Sequence, residues 1–589
     1  MVRPSPMRGN ELTRWIRAIF FASVLCVVCA AQARPRASQE EFSRNFDHTV
    51  ALGAGGSVRL DHRLGNIQIH GVAGRNVHVV ANIHVAASSR SEAESFSNQI
   101  KIDMHLDNSL SIRTEYPDSA RGMDSGRRGI SFSVDYNIEM PEDAPLTIKN
   151  SFGDVSIEGL KATSDVNNSH GQISFHDGRG NQRFENSFGG IEVANNAGDA
   201  VVINTNGFVH VAHVDGAVDL RNRFGEVTAS HIGRRATIAN SNGNVELISA
   251  NGPASITNGF GSVRAESIQG DLTVRNGNGE VSAREINGEA DLTTSFAAIR
   301  FFNIARRLTC TGTNSSISGS RVGAGATVRT TFGAVEMREI GGPVEIDDSN
   351  GKILVRGIGG SAQLKTSFGS IDASGIGGGV VVSDSNGTVA VSHIGGPAEV
   401  RNSYGAVTLS GIRGPARVVS GNGSVTLDDI GGDAFVKAGF GLVRAAQIAG
   451  PLTVENSNGG VEASGIQGPV NVHTSFSSVT LSNIGGGIEV DNQNGAVEIS
   501  AAPMKAGSCN NISVRTSFSP IRVYLLPDAG YRVSARTSFG HVQSDFPVTV
   551  SGSTGNDSIE GTIGNGACEL HLSNSSSSIE ILKARPDKQ

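Results

Sequence analysis

Apolar residues recur along most of this chain in short groups with a spacing of two, and the groups themselves recur every 18 residues. One register starts at Phe152 and runs through His170, Phe188, Asn206, Phe224 and Asn242 to Phe476 and Asn494. It covers twenty positions without an insertion or deletion. Taking that position as zero, Gly stands at +1 in seventeen of the twenty repeats, the exceptions being Ala297, Ser315 and Ser477. Position +3 is Val or Ile in all twenty, and +5, +8, +12 and +14 are mostly apolar, as in Val335, Met337, Ile340, Val344 and Ile346. Spacing of two is strand spacing, with alternate side chains on one face. Gly-Gly and Gly-Pro pairs such as Gly342-Pro343 and Gly396-Pro397 punctuate the groups as turns. Each repeat therefore predicts two short strands and two turns, a coil that buries its apolar face only by stacking on its neighbours.

The pattern predicts an all-β protein: a single elongated parallel β-solenoid with 18-residue coils and irregular β-rich caps at both ends. Nineteen intervals at ~4.8 Å per coil give a rod of roughly 90 Å. Asn at position −2 (Asn150, Asn168, Asn186 and onward to Asn276) shares the inward parity of +12 and +14, which predicts a ladder of amides bonding coil to coil and satisfying corner backbone groups. The same parity places the alternating Phe/Asn position inward, large rings beside small amides in a close-packed core. The competing reading is an exposed aromatic stripe that binds a flat ligand. At outward position +15, basic residues such as Lys365 and Lys437 alternate with Asp347, Glu455 and Asp491, so opposite charges become neighbours between coils.

Outside the regular stretch, residues 34–145 repeat irregularly. Leu64-Gly65-Asn66-Ile67-Gln68-Ile69 imitates a repeat start, Ser91–Gln99 reads as a short helix, and Pro117–Arg128 as a polar loop. This region is expected to cap the solenoid end. Residues 146–500 form the regular solenoid. Residues 501–589 resume with Phe518 and Phe539 as anchors after an insertion at Ala501–Asn511, and end in a charged tail. Residues 1–33 read as a secretory signal: Arg3, Arg8, Arg14 and Arg17, an apolar run Ala18–Ala31, then cleavage after Ala33. Four Arg and one Glu leave with it, so the net charge moves from −7 to −10. An acidic chain without basic clusters argues against nucleic acid as partner. Of the remaining cysteines, Cys310 falls at inward position +14, while Cys509 and Cys568 either pair in an oxidising compartment or stay free.

The repeat starts, the Asp135-Tyr136-Asn137-Ile138-Glu139-Met140-Pro141 passage, the Asn-Ser-Phe-Gly-x-Val units, and Leu525-Leu526-Pro527 followed by Thr537-Ser538-Phe539-Gly540 carry a resemblance. The chain resembles the bacterial putative-adhesin family of β-strand repeat proteins, a domain of unknown function. That resemblance implies a β-solenoid exported to the periplasm, cell surface or exterior, and implies no catalytic residue.

Candidate chemistry is sparse. His62, His70, His78, His84 and His105 cluster near the N-terminus and His210 and His213 lie close together, but no Cys or carboxylate completes a ligand set. Triplets such as Gly323-Ala324-Gly325 and Gly421-Asn422-Gly423 are turns, since neither opens a helix nor carries a nucleotide-loop Lys. Asp347-Asp348 and Asp428-Asp429 are the nearest approach to paired carboxylates, and no loop insertion builds a cleft around them. The expectation is therefore a structural or adhesin-like envelope protein, not an enzyme, with no catalytic, cofactor or metal residues, binding cell-surface glycan or an envelope protein through an extended repetitive surface. The alternatives are a carbohydrate-binding or carbohydrate-cleaving β-helix, and a sensor partner in envelope stress.

Overall fold

The computed structural model describes residues 39–117, 129–500, 509–550 and 555–584. The predicted signal segment, most of the Pro117–Arg128 and Ala501–Asn511 loops and the end of the tail lie outside these residues. Among them the chain forms 55 strands and one short helix. The strands divide into two sheets of 27 and 28 strands, each coil giving one strand to each sheet. Ala200–Asn206 and Val209–Val214 are one such pair.

Within the regular stretch every strand pairs in parallel with its counterpart 18 residues on. Val335 pairs with Ile353 and Ile353 with Ile371, so one turn along the chain is one step along the rod. The inward columns are filled by Val, Ile, Leu and Ala that are almost wholly buried. Size variation is absorbed between neighbouring coils: a Cβ on Gly319 would lie 2.6 Å from the Phe301 ring of the preceding coil, which occupies that space. Cys310 is buried in the same interior, where desolvation pushes its thiol well above the ordinary range.

Each coil turns one corner with a single residue. From Gly159 to Asn483 every +7 residue has positive φ, among them Asp177, His213, Glu285, Arg321 and Glu339. The ladder skips this residue, pairing Ala212 with Ser230 and then Val214 with Ile232. One left-handed residue rotates the strand so that +5 and +8 both point inward although they are three apart. A non-Gly residue there costs about 1–2 kcal/mol, which the ladder hydrogen bonds on both sides offset.

Both ends depart from sequence order. The coil made of Ser57–Asp61 and Ile67–Val72 lies between the coil of Leu146–Lys149 and Val155–Glu158 and that of Ser109–Glu115 and Ser131–Pro141. At the other end, Cys568–Asn574 and Ile579–Lys583 insert between the coil beginning at Ile512 and the coil beginning at Tyr531. Each end thus threads a distant segment between two coils. A disulfide between Cys509 and Cys568, 59 residues apart, ties the inserted coil to its neighbour.

Antiparallel strands finish the stack. Glu40–Ala51 pairs with Asn76–Ala87, which pairs with Ser131–Pro141, and Ser558–Ile563 pairs antiparallel with Tyr531–Thr537. The helix Arg90–Ser97, capped by Ser89, buries Ala93 and Phe96, with Phe96 packed on Phe132. Such elements interrupt the parallel edge that would otherwise template another chain.

Candidate binding face

The repeat-zero position is on the surface, and the inward placement expected from parity is overturned. Ring exposure runs from 43% at Phe152 to 86% at Phe539, with Phe260, Phe368 and Tyr404 between. The reason lies one residue earlier. Along the strand −6, −4 and −2 point inward, as Ala200, Val202 and Asn204 do. The ladder then pairs Asn204 with Asn222 and Asn206 with Phe224, skipping −1. The strand bends at that skip, and the residue after it falls outside the corner. Gly at +1 completes the turn: Gly405 has φ +114°, and a Cβ there would lie 2.1 Å from the Gly387 carbonyl oxygen. Where Gly is missing the left-handed residue moves back to Phe296 and Asn314 themselves, or stays at +1 on Ser477.

The buried −2 residue holds this corner. Asn168, Asn186, Asn276 and Asn402 each donate from Nδ2 to the Gly carbonyl at +1 of the preceding coil, at 2.8–3.0 Å. The amides therefore do bond coil to coil and satisfy corner backbone, but amide to carbonyl, not amide to amide. The Oδ1 atoms of Asn168, Asn276 and Asn402 find no partner within the protein, whereas that of Asn186 accepts from the Ser187 N–H at 3.0 Å. Asp348 and Asp384 replace Asn in this column and are also buried. Burial pushes the Asp348 carboxyl up to about 6 and raises that of Asp384.

The surface column is regular. Rings occupy every second coil, ~9.6 Å apart at two strand spacings. The small residue between them is tied down: Asn206, Asn350, Asn386 and Asn494 donate from Nδ2 to the −1 carbonyl of the coil below, at 3.2–3.5 Å. In one gap the small residue is replaced by a ring. His170 stacks between Phe152 and Phe188, with centroids 4.5 and 4.8 Å away and planes within 15°. The alternation survives the threaded C-terminus, because Thr516, Asn574 and Thr537 are adjacent in that order. Phe518, Ser576 and Phe539 therefore follow Asn494 as ring, small, ring. From Phe296 to Asn494 the residues at −1 and +2 include a single charge, Lys352.

The other candidate residues do not converge. Asp347 points outward to Lys365 at 3.0 Å while Asp348 points inward, so the two are not a working carboxylate pair. Asp428 and Asp429 are both exposed at a corner. Among the N-terminal histidines, His62 is buried against Thr114 and burial lowers it to about 4. His70 faces Glu158, His78 faces Asp47, His84 meets Ser43 and His105 meets Asp107. His210 lies against Phe208, and His213 stacks on His231. Among the described residues no three His, Cys, Asp or Glu side chains gather as a metal site. The opposite charges expected at +15 do meet, Lys437 with Glu455 at 2.9 Å and Lys365 with Asp347.

The fold and this face define a parallel β-solenoid with an exposed aromatic column. No family model and no curated protein matches the chain. Among solved structures it is similar to a putative cell adhesion protein from Clostridium sporogenes, at 12% identity and TM-score 0.19, over 36% of this chain and 100% of that one. It is also similar to a putative adhesin from Bacteroides fragilis, at 13% identity and TM-score 0.16, over 51% of this chain and 98% of that one. Likeness at these scores carries no argument about function.

Proposed function

We propose that this protein is an exported, non-catalytic, adhesin-like rod of the cell envelope that binds through its aromatic column. The carrying observation is the array itself: twelve exposed rings on one corner, most of them in a single register. Soluble chains rarely expose apolar surface of this extent without a partner. Many weak contacts along one line sum to useful avidity even when each is slight. The leader-like segment at residues 1–33 supports export.

Two measurements test this. Fractionation of the source cell with sequencing of the protein's N-terminus should find it outside the cytoplasm and beginning after Ala33. Beads coated with the full chain should adhere to cells, and Phe332→Ser, Phe368→Ser and Phe440→Ser together should abolish adhesion. Adhesion unaffected by those three changes would sink the reading. Carbohydrate binding is a second reading, favoured because rings and amides alternate: a sugar ring offers C–H groups to an aromatic face and hydroxyls to an amide. Turnover of any polymer in a reducing-end assay would refute the non-catalytic part.

A further inference from the structure

We propose that the partner of the aromatic column is the same column of a second copy of this chain, the two interlocking as a zipper about a twofold axis. This rests on the reading that the column is a binding face and names what it binds. The first argument is shape. Rings stand on alternate coils, and the coils between carry small residues, giving a row of knobs and slots with one spacing. A second rod has the same spacing by construction, so a shift of one coil places each of its rings opposite a slot. Any other partner must bring that spacing independently. A twofold interface demands that kind of self-complementarity.

The second argument is that one slot is already filled by a ring. His170 lies between Phe152 and Phe188, nearly parallel to both, with centroids 4.5 and 4.8 Å away. A ring inserted from outside between two Phe rings would occupy the place that His170 takes from within. Elsewhere the slot floor is kept low, since Asn206, Asn350, Asn386 and Asn494 bond to the coil below. One N–H of each of these amides already has a partner, so covering the slot does not strand it.

Area and charge agree. Twelve rings, most near half exposure, offer about 100 Å² each, or roughly 1,200 Å² per rod, against ~800 Å² per partner in a standard stable interface. Between Phe296 and Asn494 the strip flanking the column carries only Lys352, so apposing two acidic rods there brings few like charges together.

Filling the slots gives the decisive variant. Asn350→Phe, Asn386→Phe and Asn422→Phe in one full chain make the column more apolar while removing room for the partner's rings. Sedimentation of the wild-type full chain should show a concentration-dependent dimer. The slot-filled chain should dissociate at least roughly tenfold more readily, as should Phe332→Ser with Phe368→Ser and Phe440→Ser. Val381→Asn, on the outward face of the strand Val380–Asn386, should leave the dimer unchanged, and unaltered circular dichroism reports that each variant folds. Equal or tighter association of the slot-filled chain means non-specific apolar contact and overturns the zipper. Wild-type rods that stay monomeric also overturn it. If such monomers still adhere through the column, or retain a neutral polysaccharide on a glycan array, the zipper fails while binding by the column stands.

Discussion

Replacing Asp348 by Asn should stabilise the rod, and by an amount that depends on pH. Asp348 lies at −2, where its neighbours Thr330 and Thr366 donate a hydroxyl to the +1 carbonyl of the coil below, and Asn402 further along donates an amide to Gly387 at 3.0 Å. A carboxylate cannot donate. Asp348 is fully buried, one of its oxygens has no partner, and its folded pKa is pushed from 3.8 to about 6 by desolvation. For an acid, a folded value above the unfolded one means ionisation opposes folding. The penalty is absent below about pH 4, grows through the window between the two values and is complete above about pH 7. The gap corresponds to at most about 3 kcal/mol, and water reaching the corner brings the figure to roughly 1–3 kcal/mol. The new amide adds about 1 kcal/mol through its bond to the Gly333 carbonyl at any pH. Because a solenoid opens coil by coil, the assay is hydrogen exchange at Val335–Ile340 and Ile353–Ile358 at pH 4 and pH 8. Asp348→Asn should slow exchange modestly at pH 4 and by a further factor of about ten or more at pH 8. An equal gain in protection from the substitution at the two values would refute the reasoning, as would a smaller gain at pH 8 than at pH 4.

Three further outcomes are expected. His62 is buried and held near 4 by desolvation, below its unfolded 6.5; its stabilising effect is present above pH 6.5 and lost as pH falls towards 4. Protection from exchange at Ile67–Val72, taken relative to the unfolded chain at the same pH, should therefore fall in acid, opposite in sign to the effect at Asp348, and His62→Gln should remove the dependence. Cys568→Ser opens a link spanning 59 residues and should cost the C-terminal coils up to about 4 kcal/mol on a chain-entropy account, read as a lower urea midpoint that reductant reproduces in the wild type. Gly405→Ala forces a Cβ towards the Gly387 carbonyl at a positive φ and should destabilise by about 1–3 kcal/mol, whereas Phe368→Ser at the exposed ring should shift the melting midpoint hardly at all.

Sequence alone determined the architecture. A hydrophobic period of 18 residues with strand spacing inside it has one economical solution, parallel stacking in register, and the columns through Val335, Ile353 and Ile371 form as the period requires. It also determined the inward Asn column and the charge pairing at +15, because both follow from parity along an unbroken strand. Tertiary structure decided whatever depends on where a strand bends. The skipped residues at −1 and +7 reset the alternation, turning Phe152 and its successors outward and allowing residues such as Arg321 and Glu339 to occupy left-handed corners. Parity has no term for such a skip, since a bend shows only when successive coils share their hydrogen bonds. Threading at the ends was equally invisible. Leu64 pairs with Phe152 and Asn574 with Thr516 across long stretches of intervening chain, and the Cys509–Cys568 link follows from that adjacency. Local pattern specifies a coil, while which coils become neighbours is settled by the packing of the whole stack.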